Sequence, residues 1–213
     1  MASKSILFDL DGTLTDSGPG IMNCAKLALE HYGIHIEDMN ELRVFVGPPL
    51  HDTFVKFGVP ADETDEAIRI YRSRYLTVGK FENTPYPGVP ELLEKLQKDG
   101  HKLYVATSKP EITAIEILEH FDLAKYFTRI CGASMDRSRS SKESVIAYLL
   151  ETADADSKKI MVGDTAFDVI GANAHGIPAI GVSWGYGLVE DMQLSGAAAI
   201  ADSVDHLYRL LTE

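Results

Sequence analysis

Short apolar runs bounded by Gly, Asp or Pro recur along the chain: residues 5–10 (SILFDL), 103–107 (LYVAT), 160–162 and Ala179–Val182. They are rich in Ile, Val and Leu and carry little polar alternation, the mark of strands covered on both faces in a parallel sheet. Segments of helical period lie between them. Residues 110–120 start with Pro in the first turn and set Ile112, Ile115 and Leu118 on one side. Residues 142–151 carry Val145, Ile146, Leu149 and Leu150, residues 164–175 stop at Gly176, and residues 204–211 carry Val204, Leu207, Leu210 and Leu211. Strands alternating with helices predict an open α/β fold with a parallel sheet.

One region breaks the alternation. Between about residues 18 and 83 there are helix signals and no convincing strand. Ile21, Ala25, Ala28 and Tyr32 recur at helical spacing, residues 42–57 hold a Pro48-Pro49 interruption, and residues 62–78 contain Ile68, Tyr71 and Tyr75. The expected organisation is a small helical domain, residues 17–83, inserted after the first strand of a core made of residues 1–16 and 84–213. Its exits, Ser17-Gly18-Pro19 and the stretch from Asn83 to Gly88, are rich in turn formers.

Composition narrows the classes of function. A chain of 213 residues with 45% hydrophobic and 24% charged residues is globular, not disordered. Its 32 acidic against 20 basic residues, a net charge of −12, argue against a nucleic-acid polymer or an anionic membrane as partner. A small anionic substrate remains compatible, because a bound cation and a few amides reverse the field locally. No apolar stretch approaches the ~18 residues of a membrane span. The N-terminus runs into a strand-like segment without a signal-peptide layout, so a cytoplasmic protein is expected. Cys24 and Cys131 form no CxxC pair and read as small buried thiols. His31, His35, His101, His120, His175 and His206 read as surface or loop residues, and Trp184 as core or rim. His51 is kept as a candidate because it follows Gly47-Pro48-Pro49-Leu50.

Chemistry concentrates where the first run ends, in the segment from Phe8 to Asp16, FDLDGTLTD. In open α/β sheets ligands bind beyond the carboxyl ends of the strands. Asp9 and Asp11, two positions apart, share a face in an extended segment. Gly12 permits a sharp turn and leaves amides free to meet an anion. A bare DxDG equally suits an Asp-Gly turn with solvated carboxylates; the longer string is rarer.

That string resembles the first motif, DxDGT[LV], of the haloacid dehalogenase-like phosphatase superfamily, and three further motifs follow in the family's order. Thr107-Ser108-Lys109 closes a hydrophobic strand, Lys142 in Ser140-Ser141-Lys142-Glu143 precedes a helix, and the segment from Gly163 to Asp168 reads GDTAFD against GDxxxD. The resemblance covers almost the whole chain. It implies an open, Rossmann-like parallel-sheet core with a small all-helical cap after the first strand. It also implies Mg²⁺, held by the Asp9 carboxylate, the Asp11 carbonyl and Asp164, with Asp168 close by. Asp9 is then the nucleophile that forms an aspartyl-phosphate, and Asp11 the general acid and base. Ser108 donates to a phosphoryl oxygen, Lys142 neutralises charge, and Gly12, Thr13 and Lys109 are candidates for binding the phosphate side. Arg43, His51 and Lys56 flank the Gly47-Pro48-Pro49 turn, which resembles the family's specificity loop, and are candidates for reading the leaving group. The cap is expected to close over the carboxylates. Electrostatics points the same way for the metal. Like charges about 4 Å apart cost roughly 4 kcal/mol at an effective dielectric of 20, which a hard divalent cation relieves.

Within the superfamily, Asp11 argues against dehalogenase and phosphonatase activity, in which that carboxylate is replaced. Leu50 stands where β-phosphoglucomutases typically carry an Arg. Phosphomonoester hydrolysis is therefore the leading reading, with a β-phosphoglucomutase-like transferase and a non-catalytic phosphate-binding module as alternatives. The strings DGTLTDSGPGI, VGPPLHDTF, VATSKPE and SRSSKESVI look most like the phosphoglycolate-phosphatase-like or 5′-nucleotidase-like branch.

Overall fold

The apolar runs pair side by side. The computed structural model describes residues 3–136, 138–151, 153 and 157–213. In chain order its strands are β1 (Lys4–Phe8), β2 (Thr15–Asp16), β3 (Thr84–Pro85), β4 (Lys102–Pro110), β5 (Arg129–Ala133), β6 (Lys158–Gly163), β7 (Ala179–Val182) and β8 (Ala199–Ala201). The helices are α1 (Gly18–His31), α2 (Leu50–Lys56), α3 (Thr64–Tyr75), α4 (Val89–Lys98), α5 (Glu111–His120), α6 (Lys142–Leu150), α7 (Ala166–Asn173), α8 (Val189–Leu194) and α9 (Val204–Thr212). Six strands form one sheet in the order β5-β4-β1-β6-β7-β8, every pair parallel. The α/β fold expected from the sequence is borne out.

The two-residue pleat explains why β1 is apolar throughout. Ile6 and Phe8 enter a layer with Val105, Val162 and the inner faces of α4, α5 and α9, while Leu7 enters the opposite layer with Tyr104, Met161, α6, α7 and α8. Each such side chain contributes about 1.5–3 kcal/mol by leaving water. β1 lies between β4 and β6, so the ends of these three strands meet where the strand order reverses.

The chain divides into two compact units, one holding the residues up to Thr15 with Pro85–Glu213, the other Asp16–Thr84. The crossing strands β2 and β3 pair as a two-stranded sheet. In the second unit α1 buries Ile21, Cys24, Ala25, Ala28 and Leu29. Phe45 packs edge-on against Phe54, and Tyr71 stacks on Tyr75. Gly18 and Pro19 open α1 instead of forming a loop, because Pro suits the first helical turn.

Three details differ from the sequence reading. His101 is buried, with Nδ1 accepting from the Lys4 backbone N–H at 3.1 Å. α5 buries Thr113, Ala114, Ile117 and Leu118, whereas Ile112 is 63% exposed. Residues 42–57 are split: a 3₁₀ segment, Met39–Phe45, precedes α2. Cys24 and Cys131 are both free and buried, as expected. Among the described residues no helix is long and apolar enough to cross a membrane.

Candidate active site

Asp9 is the first residue beyond β1, and its backbone N–H donates to Val162 O on β6 at 2.9 Å. Asp164 is the first residue beyond β6, and Asp168 sits in the first turn of α7. There Asp168 Oδ2 accepts from Thr165 N at 3.1 Å and from Thr165 Oγ1 at 2.8 Å, closing the helix start. The GDTAFD spacing therefore carries one carboxylate on a strand end and the next on the helix that follows. Ligand oxygens of Asp9, Asp164 and Asp168 lie within 4.8 Å of one another, and all three side chains are buried.

One lysine enters this group. Lys142 is the first residue of α6, where Ser141 caps the helix by accepting from Ser144 N at 3.1 Å. A cation at a helix N-terminus opposes the helix dipole. Lys142 is nevertheless buried, 2.8 Å from Asp9 Oδ1 and 2.7 Å from Asp168 Oδ1, and it donates to Ala106 O at 2.9 Å. Burial disfavours its charge, but Asp168 and Asp9 outweigh that and hold its pKa well above the ordinary lysine value. The local rule is broken where two carboxylates compensate.

The carboxylates outnumber their cation. Burial raises Asp9 to about 6 against the pull of Lys142, with Asp168 and Asp11 adding repulsion. Burial raises Asp164 to about 8, helped by Asp168 and Asp9 and opposed by the Tyr186 N–H and Lys142. Three buried acids facing one ammonium fit a further cation, and their all-oxygen donor set suits a hard metal ion.

The remaining candidates distribute as follows. Gly12 has φ +79°, and a Cβ there would meet Asp164 Oδ2 at 2.1 Å, so both the turn and the close approach require glycine. Thr13 is buried and donates through Oγ1 to Asp164 Oδ1 at 3.2 Å. The Asp11 side chain lies outside the three-acid group and pairs with Lys109, Nζ to Oδ2 at 2.7 Å. Ser108 is exposed, whereas its neighbour Thr107 is buried and accepts from Lys109 N at 3.2 Å. Arg43, in the 3₁₀ segment, and His51 and Lys56, on α2, are exposed residues of the helical unit. His51 Nδ1 lies 3.3 Å from Asp52 Oδ1.

The sequence reading missed the loop after β7. Tyr186 N donates to Asp164 Oδ2 at 2.8 Å, and Trp184 Nε1 donates to Thr13 O at 3.2 Å. A Cβ on Gly185 would fall 2.3 Å from Asp164 Oδ2. The available signal was the spacing Trp184-Gly185-Tyr186-Gly187 directly after a strand, with glycines where the backbone meets a carboxylate.

The chain resembles known proteins in sequence and in fold. A 5′-nucleotidase of Pseudomonas aeruginosa is 41% identical over 191 residues, covering 89% of this chain and 86% of its own. A tyrosine-protein kinase PtkA of Mycobacterium tuberculosis is 40% identical over 209 residues, 97% of this chain and 72% of its own. The crystal structure of a predicted phosphatase from Clostridium acetobutylicum matches with a TM-score of 0.92 and 42% identity over 99% of both chains. Residues 6–182 match the model of the haloacid dehalogenase-like hydrolases, and the chain belongs to that family.

Proposed function

We propose that the chain, a phosphatase of this family, hydrolyses a small phosphomonoester through an aspartyl-phosphate on Asp9, with Mg²⁺ as its metal. The observation that carries this reading is the buried meeting of Asp9, Lys142, Asp164 and Asp168 beside the Asp11–Lys109 pair. An Asp9 carboxylate oxygen attacks phosphorus, the bond from phosphorus to the leaving oxygen breaks, and Asp11 gives that oxygen a proton. Asp11 then takes a proton from water as the water oxygen attacks phosphorus, releasing Asp9 and inorganic phosphate. Lys142 keeps Asp9 ionised and offsets charge shared between Asp9 and the phosphoryl group. Asp9, Asp164 and the Asp11 carbonyl would hold the metal, with Asp168 fixing Lys142. Mg²⁺ would supply neutralisation of the phosphoryl charge.

The 5′-nucleotidase relative favours a nucleoside monophosphate or another small phosphometabolite as substrate. The PtkA relative favours a second outcome, in which a tyrosine hydroxyl replaces water as phosphoryl acceptor. Phosphate release across a panel of phosphorylated metabolites, with a tyrosine peptide as competing acceptor, separates the two. Turnover of p-nitrophenyl phosphate is expected to require Mg²⁺ and to stop in excess chelator. Ca²⁺, which accepts more ligands and lets a carboxylate bind through both oxygens, is expected to substitute poorly. Full activity in chelator would remove the metal from the mechanism.

The helical unit supplies the residues that read the leaving group. Replacing Arg43, His51 and Lys56 singly by Ala is expected to raise KM for the preferred substrate roughly tenfold in at least one variant. Small aryl phosphates, which offer little to read, are spared. An unchanged substrate ranking in all three variants assigns specificity elsewhere.

A further inference from the structure

Two lysines enter the site, and they serve different aspartates. Lys142 is committed to Asp9 and Asp168, while Lys109 Nζ lies 2.7 Å from Asp11 Oδ2, with the two side chains only 6% and 15% exposed. The two Asp11 oxygens are unequal. Oδ2 faces the ammonium, and Oδ1 is buried with no hydrogen-bond partner. A buried carboxylate oxygen left bare is unfavourable and marks a place where another group arrives.

The backbone that presents Lys109 is firmly held. The pairing of β4 with β5 shifts register between Ala106 and Pro110, and within that stretch Lys109 N donates to Thr107 Oγ1 at 3.2 Å. Across the sheet, a Cβ on Gly132 would come within 2.5 Å of Lys109 O, so the two strands approach as closely as glycine allows. Gly132 is itself tied down: its N–H donates to Glu111 Oε2 at 3.1 Å, and its carbonyl accepts from Arg139 Nε at 2.8 Å. A side chain on such a support fixes the group it touches.

We propose that Lys109 is a positioning residue. It grips Asp11 by Oδ2, turns the bare Oδ1 toward the leaving-group oxygen, and does not bind the substrate phosphate. The proposal rests on the phosphatase reading above and deepens it. It replaces the sequence-based expectation that Lys109 meets substrate charge, since its ammonium is engaged by Asp11.

The test compares Lys109→Met and Lys109→Arg, each made in the wild-type and in an Asp11→Asn background. Kinetics are measured with p-nitrophenyl phosphate and with phenyl phosphate, whose phenol is the poorer leaving group. A displaced Asp11 matters most where the departing oxygen needs a proton. Lys109→Met is therefore expected to lower kcat for phenyl phosphate about a hundredfold, with p-nitrophenyl phosphate affected about tenfold less. KM should move less than about twofold for either substrate, and Lys109→Arg should recover part of the loss. In the Asp11→Asn background Lys109→Met should cost nothing further, because its only route to the reaction is gone. An equal rise in KM for both substrates that persists in that background would assign Lys109 to the phosphate and overturn the proposal. Equal kcat losses for both substrates that persist in the Asp11→Asn background would overturn it too. Lys109→Gln gives the same comparison should the Met variant melt below the assay temperature. Wild-type turnover of p-nitrophenyl phosphate tests the phosphatase reading separately, so the two failures are distinguishable.

Discussion

Asp9→Asn is expected to lower turnover of p-nitrophenyl phosphate by roughly a thousandfold or more. The amide keeps the shape of the carboxylate but has no charged oxygen to attack phosphorus, and nothing else described in the site substitutes for it. Asp164 is bonded to Thr13 and Tyr186, and Asp168 closes the start of α7 and pairs with Lys142. The fold should survive the change. Asp9 is held to β6 by its backbone N–H, which the substitution leaves intact. Burial disfavours its side-chain charge and outweighs the attraction of Lys142, with Asp168 and Asp11 adding repulsion, so losing that charge costs the fold little. The melting temperature in chelator is thus expected to hold or rise while activity disappears. A variant that keeps more than about a tenth of the wild-type rate is incompatible with Asp9 as nucleophile.

How much of this was legible in the sequence depends on whether the signal is local. Strands buried on both faces announce themselves, because apolarity at every position is required whatever the neighbours are; the run at residues 5–10 and the strand Ala179–Val182 are read directly. β5 and β8 at the sheet edges escape the reading. RICGA holds Arg, Cys and Gly, and AIA is three residues long, so neither shows a period of its own; pairing with β4 and β7 makes them strands. The site follows the same division. Asp9, Asp11, Lys142, Asp164 and Asp168 stand in short strings whose spacing is fixed by a strand end and the helix that follows. The partners they choose are long-range. Lys109 reaches Asp11 from another strand, and the Tyr186 N–H reaches Asp164 from a loop 22 residues further on, so neither contact has a spacing to read. The helix-dipole conflict at Lys142 was visible in principle, as a cation placed directly after the serine cap.

Lys142→Met is expected to damage both turnover and stability, and the stability loss should depend on pH in a definite direction. The substitution keeps much of the apolar stem but removes the ammonium that faces Asp9 and Asp168. Removing one partner of a buried ion pair costs about 3–5 kcal/mol, because the other charge is left uncompensated. For a chain of this length that is a fall in Tm on the order of 10 °C. Burial already raises Asp9 to about 6 and Asp164 to about 8 from 3.8, and Lys142 lowers both, so its loss moves both higher still. A folded state whose acids have raised pKa values binds more protons than the unfolded chain, and its stability grows as pH falls. The deficit of Lys142→Met should therefore be largest near pH 8 and above, and shrink as pH is lowered through 6 toward 5. Adding Mg²⁺ at pH 8 should act like acid, since a cation among the carboxylates replaces the missing charge. Melting curves of wild type and variant at pH 8 and 5.5, with chelator and with Mg²⁺, read all four arms. A Tm difference that stays constant across them would mean that Lys142 supports the fold through its stem alone, with its charge playing no part in holding the carboxylates together.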